Sequence, residues 1–293
     1  MPWLDPGPGL HAEGVRLPDG RVIRTVAAGT GSPLVVFEAG IGVCASVWVV
    51  VQALVAEASR TLAYDRAGFG GSDDDPKRRS LERSVADLAT VLDRVQPDSA
   101  VVLVGSSLGG PIIRMFAVTH PQRVAGLVFV DAGVAEGIPA WHMRRLRSSL
   151  AAALSRIGLH ERLITAVMKP AIDPPMPAAA RSVLIRDLTS ARNLRMAARE
   201  TREVDLSVAT LTRLQQAGLP DVPVSTIVGG VTGSRESAEL RAAMLEAGRR
   251  EMATHPTGRF VTATASSHAI PSQEPELVAK EIGRVVHMVR RTR

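Results

Sequence analysis

Short apolar runs rich in β-branched residues alternate along this chain with longer stretches in which apolar side chains recur at every third or fourth position. The runs are Leu34-Val35-Val36-Phe37, Thr61-Leu62-Ala63-Tyr64, Val101-Val102-Leu103-Val104, Leu127-Val128-Phe129-Val130, Val224-Ser225-Thr226-Ile227-Val228 and Arg259-Phe260-Val261-Thr262-Ala263. A mostly apolar run with polar flanks fits a strand buried on both faces, and strands alternating with helical stretches imply parallel pairing through crossover helices. Leu81, Val85, Leu88, Leu92 and Val95 keep helical spacing behind a candidate cap at Ser80. Leu277, Ile282, Val285 and Val289 mark a last helix from about Pro275, with Arg290, Arg291 and Arg293 at the end where cations suit the helix dipole. A hairpin opens the pattern: Val15-Arg16-Leu17, the turn Pro18-Asp19-Gly20, then Val22 to Val26, with His11 in the tail before it.

From about Gly133 to Leu219 the alternation gives way to Ala-, Arg- and Leu-rich helical sequence, bent at the proline cluster between Lys169 and Pro177. The pattern predicts an α/β fold with a mostly parallel central sheet flanked by helices. Residues 1–132 and 220–293 form its core, and residues 133–219 form a helical lid inserted after the sixth strand. Trp141, Met143, Leu146, Leu150 and Met168 are expected to wall a pocket beneath that lid.

Gly105-Ser106-Ser107-Leu108-Gly109 follows a buried strand and precedes a helical stretch. Glycines two residues either side of a serine leave backbone room for a sharp strand-to-helix turn that lifts its hydroxyl above the strand end. Ser107 is the candidate nucleophile. Ser106 lacks that glycine spacing. A serine hydroxyl needs a base within hydrogen-bond reach. Among seven histidines, His268 follows the last strand and precedes the last helix, so it leaves the same sheet edge as Ser107. His142 and His160 fall in the lid, His120 and His255 near helix ends, and His287 inside the last helix.

At these residues the chain resembles the α/β-hydrolase family, in the broad subset of carboxylesterases, proline iminopeptidases, lactonases and carbon–carbon bond hydrolases. The resemblance runs from about Asp19 to Arg290 and is weak only across the lid. It rests on Asp65-Arg66-Ala67-Gly68-Phe69-Gly70-Gly71-Ser72, the turn at Ser107, Arg123-Val124-Ala125-Gly126-Leu127-Val128, and His268 with Pro275-Glu276-Leu277-Val278. It implies an oxyanion hole built from the N–H of Leu108 and one from the loop Glu38-Ala39-Gly40-Ile41-Gly42-Val43-Cys44, where Ile41 is the choice. Many relatives carry a triad aspartate after the seventh strand, but here that loop reads Gly229-Gly230-Val231-Thr232-Gly233-Ser234-Arg235-Glu236. Some members place the acid after the sixth strand, where this chain has Asp131. Asp131 is favoured, with Glu236, then Glu38, and then another residue or a dyad without an acid as alternatives. Glu38 is otherwise expected to pair with Arg66. A serine in the turn argues against haloalkane dehalogenase and epoxide hydrolase chemistry, for which the family typically uses aspartate.

Charge and composition refine this picture only slightly. The formal charge is +6, yet the segment from Trp141 to Glu203 alone holds twelve Lys or Arg against five Asp or Glu. Those cations read as a solvated helical face, or as steering for an anionic substrate or membrane surface. Aromatic residues are only 3%, which disfavours a base-stacking nucleic-acid surface. One cysteine, Cys44, allows neither an internal disulfide nor a thiolate cluster and reads as a packing thiol. No apolar run spans a bilayer and the start lacks a secretory pattern, so a cytoplasmic location is expected. The expected function is serine hydrolysis of an ester, lactone or amide of a small molecule, with no cofactor or metal. A non-hydrolytic ligand-binding protein and an acyltransferase remain the alternatives.

Overall fold

The computed structural model describes residues 9–132, 164, 169–172, 174, 176–206, 208–233 and 236–292. Eight strands form one sheet: β1 (His11–Arg16), β2 (Val22–Ala28), β3 (Val35–Glu38), β4 (Thr61–Tyr64), β5 (Val101–Ser106), β6 (Val124–Val130), β7 (Val224–Gly229) and β8 (Gly258–Ala263). Their order is β1-β2-β4-β3-β5-β6-β7-β8. β2 pairs antiparallel with β1 and β4, and all later pairings are parallel.

Helices among the described residues, numbered in chain order, are α1 (Val49–Ala56), α2 (Leu81–Val95), α3 (Gly109–Thr119), α4 (Lys169–Ile172), α5 (Ala178–Thr189), α6 (Ala191–Leu206), α7 (Val208–Gln216), α8 (Ala238–Thr254), α9 (Ile270–Gln273) and α10 (Pro275–Arg291). Successive strand residues serve opposite faces, as the two-residue period of a strand requires. Val36, Leu103 and Leu127 pack with Leu88 and Leu92 of α2 and Ile112 and Phe116 of α3. Val35, Phe37, Val102 and Val128 pack with Val51 of α1 and Ile282 and Val285 of α10. Each flanking helix turns its apolar stripe onto the sheet, and α2 is capped by Ser80, whose Oγ accepts from the N–H of Arg83 at 3.3 Å.

Helices α4 to α7 are inserted between β6 and β7 in the chain. They reach the loops at the carboxyl ends of β3 and β4: Asn193 Oδ1 accepts from the Gly70 N–H at 3.2 Å, and Ser46 Oγ donates to Asp187 Oδ2 at 2.8 Å. The sequence pattern misplaced one element and missed three, among them the four-residue α9 before the last helix. β1 begins at His11, so His11 is strand rather than tail, and its mostly exposed residues lack the apolar alternation that marks a half-buried strand. The β-branched run Val49-Val50-Val51 opens helix α1, and α8 was not anticipated. Trp141, Met143, Leu146, Leu150, Met168, His142 and His160 lie outside the described residues. Among those described, no helix is long and apolar enough to cross a membrane.

Candidate active site

β5 ends at Ser106, the chain turns at Ser107, and α3 starts at Gly109. Ser107 has φ +52°, a left-handed conformation that costs a non-glycine residue about 1–2 kcal/mol. The neighbouring glycines explain how so tight a turn closes. A Cβ on Gly105 would stand 2.5 Å from the Gly109 carbonyl oxygen, and one on Gly109 would stand 2.3 Å from the Glu38 carbonyl oxygen. The Ser107 N–H donates to the Val130 carbonyl at 3.1 Å, and the Ser107 carbonyl accepts from Gly110 at 3.0 Å. Ser106 is buried within β5, whereas Ser107 is partly exposed.

Asp131 stands at the carboxyl end of the adjacent strand, β6, with φ +43°. Its carboxylate is fully buried and meets three nitrogen partners. Oδ2 lies 2.7 Å from His268 Nδ1, while Oδ1 accepts from the Gly229 N–H at 2.9 Å and from Arg241 Nη1 at 2.6 Å. Burial pushes the Asp131 carboxyl upward, but the hydrogen bond and charge of His268, together with Arg241, outweigh it and hold the group below the usual carboxylate range. His268 sits between β8 and α9 with its side chain 41% exposed. Its loop is pinned by the Ser267 N–H, which donates to Gln273 Oε1 at 3.2 Å.

The other two carboxylates weighed as acids have other partners. Glu236 Oε2 accepts from Arg241 Nε at 3.1 Å and from the Gly233 N–H at 3.3 Å, so it holds the arginine that holds Asp131. Asp131, Glu236 and His268 each bring one potential ligand atom within 4.8 Å of the others. The Arg241 guanidinium already pairs with both carboxylates, so this cluster is suited to orienting an imidazole rather than gripping a cation. Arg241, which ties Asp131 to Glu236, is the residue of this cluster that the sequence reading missed. Its signal is a cation in the opening turn of α8, the end where the helix dipole disfavours positive charge.

Glu38 pairs with Arg66, Nη1 to Oε1 at 2.6 Å, and accepts from the Tyr64 hydroxyl. Arg66 also donates to the carbonyls of Ala39 and Gly40, each at 2.7 Å, at the start of the loop that carries Ile41. Gly40 packs on Ser107: a Cβ there would be 3.2 Å from Ser107 Cβ. Among the described residues, neither the Ile41 nor the Leu108 N–H has a hydrogen-bond acceptor. Burial pushes the Glu38 carboxyl to about 7, against the pull of Arg66. A carboxyl raised on folding favours the fold most at low pH, and that contribution is lost as pH rises from 4.5 to about 7. The stability advantage of the parent over Glu38→Gln is therefore expected to shrink by a few kcal/mol, at about 1.4 kcal/mol per unit, between pH 5 and pH 8 in urea denaturation. An advantage that grows with pH would contradict the assignment.

The remaining described histidines have local roles or none at the site. His120 stacks on Phe116 with centroids 4.7 Å apart, His255 Nε2 lies 3.0 Å from the Pro220 carbonyl oxygen, and His287 is exposed on α10. Cys44 is buried against Phe69 and Met196. The cations of the inserted helices divide. Arg192 donates to the Gly70 carbonyl at 3.0 Å and to Asp74 at 2.8 Å, whereas Arg195, Arg199 and Arg202 lie exposed along α6.

Comparison with known proteins supplies the family. An AB hydrolase superfamily protein of Gibberella zeae is 26% identical over 296 residues, covering 88% of this chain and 87% of that protein. Two solved structures share the fold. A thermophilic esterase from Thermogutta terrifontis gives a TM-score of 0.69 at 22% identity, covering 95% of this chain and 99% of its own. A haloalkane dehalogenase DbeA-M1 loop variant from Bradyrhizobium elkanii gives 0.75 at 17%, covering 97% and 99%. Nucleophile chemistry differs within such a fold, so these likenesses speak to architecture. The model of the alpha/beta hydrolase family matches residues 35–281, from β3 into α10, and with the turn at Ser107 and His268 lying inside that span, the chain belongs to the alpha/beta hydrolase family.

Proposed function

We propose that this protein is a serine hydrolase that cleaves an ester-like bond, in an ester, lactone or amide of a small molecule, through an acyl-enzyme on Ser107. The observation that carries this reading is the 2.7 Å contact between His268 Nδ1 and the buried, arginine-held carboxylate of Asp131, at the sheet edge where Ser107 adopts its left-handed turn. Asp131 fixes the Nδ1–H tautomer, which leaves Nε2 as the nitrogen that takes the Ser107 proton. Ser107 Oγ then attacks the carbonyl carbon, and the negative charge gathers on the carbonyl oxygen. The N–H groups of Ile41 and Leu108 supply the donors for it. His268 returns the proton to the leaving group, and a water activated by the same imidazole releases the acid. The balance closes with one water consumed per bond cleaved, and neither metal nor cofactor enters it. Residues 133–219 act as the lid over this site, the described part of the segment already touching the loops around it.

Incubation with a fluorophosphonate, followed by peptide mass mapping, tests the reading. Labelling is expected on Ser107, alongside hydrolysis within a panel of esters, lactones and amides. A folded protein that takes no label would favour a non-hydrolytic binding protein on this scaffold, and product partitioning to added alcohols would favour an acyltransferase.

A further inference from the structure

We propose that Glu200, on the inserted helix α6, is a positioning residue that aims the oxyanion loop, an inference that rests on the serine-hydrolase reading above. Glu200 is 3% exposed, and its carboxylate is fully engaged. Oε1 accepts from Arg66 Nε at 2.7 Å and Arg79 Nη2 at 3.2 Å, and Oε2 accepts from Arg66 Nη2 at 2.9 Å and from the Gly42 N–H at 3.2 Å. An ion pair serving only to dock a helix would need the arginines. The bond to Gly42 instead reaches the backbone of the loop itself.

The geometry links that carboxylate to the Ile41 N–H through two rigid bodies. Arg66 is planar, and with Glu38 on one side and Glu200 on the other its guanidinium cannot rotate. It presents Nη2 to the Gly40 carbonyl at 2.7 Å. The Gly40 C=O and the Ile41 N–H belong to one trans peptide plane and point in opposite directions. Fixing the carbonyl on Arg66 therefore aims the N–H away from it, and the Gly42 bond fixes the far end of the same turn. Packing leaves the loop little slack. A Cβ on Gly42, at φ +71°, would stand 2.8 Å from Ala197 Cβ of α6, and the same helix crowds the neighbouring loop after β4, where a Cβ on Gly68 would stand 2.8 Å from Met196 Sδ. On this arrangement α6 stays seated during turnover as part of the catalytic floor.

The test compares the full-length parent with Glu200→Ala and Glu200→Gln, using p-nitrophenyl acetate and amide hydrogen exchange of the peptide covering residues 39–43. Glu200→Ala is expected to lower kcat about 100-fold, as loss of one oxyanion donor does, with KM changed less than about threefold. Exchange in that peptide should quicken at least about tenfold. Glu200→Gln keeps one acceptor oxygen, which in the Oε2 position still takes the Gly42 N–H and Arg66 Nη2 but turns the amide NH₂ toward Arg66 Nε and Arg79, so it should restore part of kcat and slow the exchange relative to Glu200→Ala. If Glu200→Ala does not fold, Glu200→Asp carries the test, because it keeps the buried charge but withdraws it by one methylene from Gly42. Its kcat should fall about tenfold with KM kept. Unchanged exchange in a folded variant overturns the proposal whatever the activity, and so does quickened exchange with unchanged kcat. A parent that neither hydrolyses the acetate nor takes a phosphonate label removes the hydrolase reading instead, and the exchange result alone then decides whether Glu200 holds the loop.

Discussion

Asp131→Asn is expected to lower kcat about 10⁴-fold while the protein stays folded, and the physical reason is a forced tautomer. Two donors, the Gly229 N–H and Arg241 Nη1, face Oδ1 of this residue. In the variant they select the amide oxygen for that position and turn the amide NH₂ toward His268. An NH₂ group cannot accept from Nδ1–H, so the imidazole must carry its proton on Nε2, where it can no longer take one from Ser107. Glu236→Gln alters a partner of Arg241 and of the Gly233 N–H but leaves the Asp131 carboxylate in place, and is expected to cost less than about tenfold. The measurement is kcat for both variants on whichever panel substrate the parent turns over, with circular dichroism as the check on folding. If Glu236→Gln loses turnover while Asp131→Asn keeps it, the acid has been misassigned.

Much of this arrangement was legible in the chain because it depends on local pattern. A parallel strand buried on both faces must be continuously apolar, so β3, β5 and β6 announce themselves. The turn at Ser107 needs its glycines at fixed offsets, and His268 follows from its place between the last strand and the last helix. Asp131 was reached through the family resemblance, some members of which carry the acid after the sixth strand, and in the structure its carboxylate lies 2.7 Å from His268 Nδ1. β1 was misplaced because an exposed edge strand has little apolar face to display. The helix α1 was hidden because its valines favour strand locally, and packing against α10 overrides that preference. Arg241 and Glu200 were out of reach for a different reason. Their partners Asp131 and Arg66 lie 110 and 134 residues away in sequence, and no periodicity records a contact of that kind. Both are buried charges whose bonds reach the proposed site from outside the motif.

Ser107→Gly is expected to be catalytically dead and yet no less stable than the parent, a combination that separates a functional strain from a merely tolerated one. Loss of the nucleophile should lower kcat on the order of 10⁴- to 10⁶-fold, and Ser107→Ala should do the same. The two differ in the backbone. At φ +52° alanine keeps the steric penalty of the turn, whereas glycine sheds about 1–2 kcal/mol of it. The greater freedom of glycine in the unfolded chain takes back about 0.4–1 kcal/mol. The glycine variant should therefore be more stable than the alanine variant by up to about 1.6 kcal/mol, read as a higher denaturation midpoint at an unchanged m-value. Ser106→Ala, buried within β5 and outside the turn, should keep kcat within about tenfold. A glycine variant clearly less stable than the alanine one would show that the left-handed turn at Ser107 is unstrained. Turnover surviving in Ser107→Gly, or collapsing in Ser106→Ala alone, would move the nucleophile to Ser106. Given the expected order, the chain holds an unfavourable backbone conformation at the one residue where straightening it would lower the hydroxyl out of reach of the substrate.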